Sequence, residues 1–192
     1  MEIKEKEKQL QKLILAGTVQ AFNQRGLKFT MDDIASLLGI SKKTIYTVFA
    51  DKEALFLAMV DELFDSVKES ERQILEDADL TTTEKLRRVL SVLPESYKEV
   101  DFRQLYLLKE KYPKIYDQVE LRLETGWETT IELLEQGMKE GVIRPIRIPL
   151  FKLMMEAALE QFFQRDILIK NRITYAEALD EVVEILLDGI LA

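Results

Sequence analysis

Lys42, Lys43, Thr44, Tyr46 and Thr47 fall within six consecutive positions, and every one of their side chains can donate a hydrogen bond. Held on one outward face of a helix, such side chains suit phosphate oxygens and the acceptor-rich base edges of a DNA major groove. The flanking residues supply the helices that would hold them. Thr30 can cap a first short helix, whose positive end is favoured by Asp32 and Asp33. Ile34 and Leu38 share a face, and the small Ala35 beside them leaves room for a second helix to cross closely. Gly39 stands where a chain leaving a helix needs a left-handed residue; Ile40 anchors the turn and Ser41 can cap the second helix. Ile45, Val48 and Phe49 then face inward. The run from Phe29 to Phe49 therefore predicts a helix-turn-helix. A buried hairpin of an ordinary bundle would explain Ile34, Leu38, Ile45 and Phe49. It leaves the joint placement of Ala35, Gly39 and the donor-rich outer face unexplained.

Other chemistry is sparsely provided. The chain has no Cys, which removes disulfides, thiolate zinc sites and cysteine nucleophiles and fits a reducing compartment. It also has no His, the commonest general base and transition-metal ligand. Carboxylate or lysine catalysis stays open in principle, but no spacing of that kind is present. The expectation is a protein with no catalytic residues, metal site or cofactor.

The net charge of −8 is unevenly shared. Residues 1–52 hold nine Lys/Arg against six acids, a balance of +3, so the other 140 residues carry −11. Charges more than ~8 Å apart are largely screened at physiological salt, so a basic head on an acidic body is compatible with DNA binding. The N-terminus is charged throughout and no apolar run approaches the ~20 residues that cross a membrane. A cytoplasmic protein without a signal peptide is expected.

Few Gly (7) and Pro (4) with 47% hydrophobic residues point to an all-α chain. A first helix is expected over about Glu5 to Gln24, ended by Gly26. The two short helices follow, and a longer one starts at Asp51. Thr81 with Glu84 and Thr174 with Glu177 have capping-box spacing, opening helices over about Thr82–Leu93 and Tyr175–Leu191. Between them, prolines delimit helices over about Glu95–Lys111, Lys114–Lys139 (closed by Gly141) and Leu150–Ile169. The linker Val142–Pro149 is the place for a short extended piece. The expected organisation is a three-helix DNA-binding domain over 1–50 and a helical ligand-binding and dimerisation domain over 51–192. The last two helices are apolar around more than one face, which suits either a central core helix or a homodimer seam built as a four-helix bundle. The seam is preferred, and Phe162, Val183, Leu186 and Leu187 are its expected residues.

The chain resembles TetR-type (TetR/AcrR) bacterial transcriptional regulators, strongly over residues 10–60 and loosely after that. The matching residues are Ala16, Phe22, Gly26, Thr30, Ile34-Ala35, Gly39-Ile40-Ser41, Lys42, Thr44-Ile45-Tyr46, Phe49, Asp51-Lys52-Glu53 and Leu55. The resemblance implies that Thr30, Tyr46 and Lys52 hold phosphates while Lys42, Lys43 and Thr44 approach base edges. With Ser41 and Thr47 these make up the expected DNA-binding set. Thr47 and Val48 stand where the family often has an aromatic or histidine pair, and Lys43 where it often has glycine; these departures bear on the operator sequence. Tyr112-Pro113 and the stretch Gly137–Arg144 resemble helix boundaries of the family.

The resemblance further implies a homodimer on a palindromic operator in double-stranded DNA. A small-molecule inducer in the second domain would reset the spacing of the two heads and release a repressor. Tyr97, Phe102, Tyr106, Trp127 and Phe162 lie on the helices that line the family's cavity and are its candidate ligand-binding residues. Plain core packing also accounts for them. Glu124 and Glu128, flanking Trp127, would attract a cationic ligand or simply face solvent. Two other functions fit an all-helical chain: a dimeric interaction protein with an inactive head, and a small-molecule enzyme using the C-terminal cavity.

Overall fold

The computed structural model describes residues 2–97 and 107–192. They form an all-α protein of eleven helices, α1 Glu2–Arg25, α2 Met31–Leu38, α3 Lys42–Tyr46, α4 Lys52–Glu76, α5 Thr82–Leu90, α6 Leu108–Lys111, α7 Pro113–Glu124, α8 Glu128–Glu140, α9 Ile148–Gln164, α10 Ile167–Asn171 and α11 Tyr175–Asp188.

Local chemistry sets the ends of these helices. Thr30, Thr81 and Thr174 each close a capping box, with Asp33, Glu84 and Glu177 returning a bond to the cap backbone. Gly39 ends α2 at φ 63° and Gly141 ends α8 at φ 76°, the left-handed conformation that glycine takes without a Cβ clash.

Two expected helices prove to be interrupted. The helix expected over Lys114–Lys139 breaks into α7 and α8 at Gly126, whose φ is +78°. A Cβ on Gly126 would sit 2.8 Å from Lys68 Cε, so the break also makes room for a side chain from α4. The helix expected over Leu150–Ile169 stops at an extended Arg165 and resumes as α10. Of the helix expected over Glu95–Lys111, a 3-10 turn at Glu95–Tyr97 and α6 are seen, and residues 98–106 lie outside the described residues. The Val142–Pro149 linker does hold an extended contact: Ile143 pairs antiparallel with Leu191 just after α11.

Two hydrophobic cores hold the molecule together. The first gathers α1, α2, α3 and the start of α4, and continues into Leu108, Ile115, Tyr116, Val119 and Phe163. At its centre Phe22, Phe29 and Phe56 pack edge to face or tilted, with ring centroids 6.4, 5.8 and 5.7 Å apart. Gly17 lets α2 approach α1; a Cβ there would meet the Leu38 side chain at 2.8 Å. The second core joins α5, α8, α9 and α11 through Leu86, Leu134, Phe151, Met155, Val183 and Leu187. The first core therefore runs straight across residues 50/51, the expected domain boundary, because Phe56 and Phe49 belong to it together.

Candidate nucleic-acid interface and effector cavity

The expected reading helix is α3. Ile45 is fully buried and Phe49 nearly so, which fixes the opposite face outward. That face presents Lys42, Lys43, Tyr46 and Thr47, all exposed; Tyr46 keeps 48% of its surface. Ser41 is the N-cap, its Oγ accepting from Thr44 N at 3.1 Å and lying 2.9 Å from Thr44 Oγ1. Thr47 donates its hydroxyl to Thr44 O at 2.7 Å. Lys42 Nζ reaches Asp32 Oδ2 at 3.0 Å, and that bond pushes the Lys42 pKa up. Both partners are exposed, so the pair adds little to stability. Lys43 extends into solvent beside it.

Thr30 is exposed at the start of α2, and its hydroxyl sits 2.7 Å from Asp33 Oδ2. The hydroxyl bond from Thr30, its backbone bond and the nearby Arg25, 3.0 Å from Asp33 Oδ1, hold the Asp33 carboxyl below its usual pKa. Thr30, Ser41, Lys42, Lys43, Thr44, Tyr46 and Thr47 thus sit at the start of α2 or along α3 and the turn before it.

Lys52 is placed differently. It is half-buried, donating to Leu27 O and to the Tyr112 hydroxyl, each at 2.9 Å. Its ammonium also lies 4.2 Å from the Phe29 ring centroid and 5.2 Å from that of Tyr112. Tyr112 in turn contacts the Phe56 ring and donates to Leu27 O at 3.3 Å. The side chain expected as a phosphate contact thus also ties the turn after α1 to the starts of α4 and α7. Sequence spacing carried no sign of Tyr112, sixty residues away. From that tie α7 runs along α4 on a ladder of polar contacts: Lys114 to Glu53 at 2.6 Å, Gln118 to Asp61 at 2.7 Å and Arg122 to Asp65 at 2.6 Å.

A cavity of about 170 Å³ lies between the two cores, reaching from Val19 and Phe22 on α1 to Met155 on α9 and Leu179 on α11. Tyr97 and Trp127 line it as expected. Burial pushes the Tyr97 pKa up to about 12, assisted by the charge of Glu62. Phe162 does not line it. Its neighbour Phe163 does, because α9 turns positions 151, 155, 159 and 163 inward; Phe162 packs on Tyr175 with centroids 5.9 Å apart. Phe102 and Tyr106 lie outside the described residues. Glu124 and Glu128 are exposed and line no part of this cavity, and the cation over Trp127 is Lys152, 5.8 Å from the ring centroid. The residues that sequence reasoning missed are Lys68, Glu71 and Arg122, the charged side chains of the lining.

The expected seam residues divide by helix face. Val183 and Leu187 are 1% and 0% exposed, consumed by the chain's own second core; Leu186 and Phe162 are half-buried. Val183 and Leu187 follow Leu179 at four-residue steps and so face inward with it. Outward on the same two helices stand Leu150, Leu153 and Met154 of α9, 53–60% exposed, and Ile185 of α11 at 71%. No helix of the described residues is long and apolar enough to cross a membrane, and none of their carboxylates group so as to hold a metal ion.

Residues 14–59 match the family described as "Bacterial regulatory proteins, tetR family". Over 183 residues the chain is similar to an uncharacterised HTH-type transcriptional regulator, YvaF, of Bacillus subtilis: 30% identity covering 95% of this chain and 96% of that one. It is 27% identical to the HTH-type transcriptional repressor KstR2 of Mycolicibacterium smegmatis, covering 69% of this chain and 66% of that one. Among solved structures, the fold resembles a TetR transcription regulator from Haloarcula marismortui, with a TM-score of 0.73 at 16% identity over 96% of this chain and all of that one. It also resembles the transcriptional regulator FadR from Bacillus subtilis, solved with stearoyl-CoA, at a TM-score of 0.62 and 18% identity over 93% and 98% of the two chains.

Proposed function

This chain belongs to the tetR family of bacterial regulatory proteins, and we propose that it is a cytoplasmic homodimeric repressor that leaves a palindromic operator when a small molecule fills the cavity between its two cores. The observation that carries the DNA half of this reading is α3, which buries Ile45 while exposing Lys42, Lys43, Tyr46 and Thr47. The repressor assignment draws on KstR2, and FadR with stearoyl-CoA is an instance of a similar fold holding a ligand.

The coupling route follows from the packing. Val119, Arg122 and Leu123 of α7 line the cavity, while Tyr112 at its start is bonded to Lys52 and Leu27. A ligand that moves α7 moves the tie to the head, and two heads must present their α3 helices about 34–36 Å apart to reach successive major grooves. A small displacement therefore penalises operator binding, and DNA penalises ligand binding by the same factor. Selection of genomic fragments with the purified protein tests the reading: an enriched palindrome is expected, and recovery of no preferred sequence would overturn it.

A further inference from the structure

We propose that the cavity binds an elongated, single-chain amphiphile with an anionic head, its apolar tail lying between the two cores and its head held by Lys68 and Arg122. The proposal rests on the reading of this cavity as the effector site. Shape gives the tail: the lining runs from α1 in the head to α9 and α11 in the body and is almost wholly aliphatic and aromatic. Along that length the hydroxyls of Tyr97, Thr130 and Tyr175 are too few for a molecule polar throughout, so a sugar or nucleoside would strand most of its hydrogen-bonding groups.

Charge gives the head. Among the described residues the lining carries three charged side chains, Lys68, Glu71 and Arg122, a net charge of +1. Lys68 and Glu71 stand beside Gly126, and Arg122 lies in the last turn of α7 just before it. Glu71, with a side chain only 10% exposed, is already matched by Lys68 at 2.7 Å. Lys68 Nζ also donates to Gly126 O at 2.6 Å, which spends two of its three N–H groups. Arg122 donates to Asp65 at 2.6 Å and stacks over Phe64, leaving further guanidinium donors. Each cation already faces a carboxylate, Arg122 also standing 3.9 Å from Asp61, but each keeps N–H groups beyond those its partners use. An incoming carboxylate finds these spare donors, whereas the one carboxylate of the described lining, Glu71, is already paired.

Trp127, the only tryptophan of the chain, lines the cavity and reports its filling. Octanoate, dodecanoate, dodecanol and dodecyltrimethylammonium, each kept below micelle formation, are titrated into the full chain while Trp127 emission is followed. Saturable binding of dodecanoate is expected, tighter than octanoate and about tenfold tighter than dodecanol, the gain of a charge-assisted hydrogen bond. Lys68→Met should remove the advantage of dodecanoate over dodecanol without weakening dodecanol. Because that change leaves Glu71 buried and unpaired, the double variant Lys68→Met with Glu71→Gln repeats the measurement, and Lys68→Arg should restore the preference. The proposal is overturned if dodecyltrimethylammonium matches dodecanoate, if affinity does not grow with chain length, if none of the four binds, or if both Lys68 variants keep the carboxylate preference. Operator release is read in parallel. Dodecanoate that binds through Lys68 yet leaves DNA bound supports the ligand class and counts against the release reading alone.

Discussion

Lys43 and Lys52 separate two kinds of lysine that look alike in the sequence. Lys43 projects from α3 into solvent, and as a base contact its replacement by alanine should cost about 1–3 kcal/mol on the cognate operator and relax preference at one position. Binding measured across an operator library decides this; an unchanged preference removes Lys43 from the reading set. Lys52, by contrast, is held by a carbonyl, a hydroxyl and two ring faces. Tyr112→Phe deletes that hydroxyl's bond from Lys52 and its bond to Leu27 O while keeping the ring contact with Phe56, so a loss of about 1–3 kcal/mol in urea unfolding is expected, about 0.5–1.5 for each bond. A variant as stable as the parent would show that the hydroxyl contributes nothing to the tie. The helix-turn-helix residues were legible because capping, the glycine turn and the inward apolar positions are all local in sequence. The partner of Lys52 was not, since a contact between residues 52 and 112 leaves no trace in spacing.

Helix starts were the most legible elements, and the same chemistry sets their response to acid. Asp33 and Glu84 are held below their ordinary pKa chiefly by the hydroxyl bond of the capping threonine, and Glu177 first by the backbone bond of Thr174. A carboxylate depressed in the folded state contributes stability that is complete above its unfolded pKa and is lost as the pH falls through the folded value. Stability should therefore decline below about pH 4. The variant Glu84→Gln should show a shallower acid limb in thermal unfolding at successive pH values; an identical limb would mean the cap carboxylate is not titrating with folding. The break between α7 and α8 was missed for the opposite reason. One glycine inside a helical pattern reads as tolerated, and the ammonium that bonds the Gly126 carbonyl, Lys68, comes from another helix.

At the scale of the molecule, Leu150, Leu153 and Met154 of α9 and Ile185 of α11 are among the most exposed large apolar side chains, and we propose that two copies pair there. Ile185 is 71% exposed, so Ile185→Glu leaves the free subunit's cores untouched yet buries a carboxylate in a paired one. Sedimentation should show a folded monomer with lost operator affinity; a normal dimer places the seam elsewhere. The greasy character of the last two helices was visible in the sequence. Which of its residues the chain keeps for itself was not, because the second core claims Leu179, Val183 and Leu187 only once α11 lies against α5 and α9.

The first core passes without interruption from α1 through Phe56 to Val119 and Phe163. Denaturation followed by far-ultraviolet dichroism and by Trp127 emission should give coincident curves, and two separate transitions would contradict a shared core. That continuity also sets terms for anyone building hybrid switches from this protein. Grafting a foreign reading head at the seemingly natural joint after Ala50 would part Phe22 and Phe29 from Phe56, and Leu27 from Lys52. A workable exchange has to carry residues through Val60 as one cassette and rematch the α7 surface around Tyr112 that receives them.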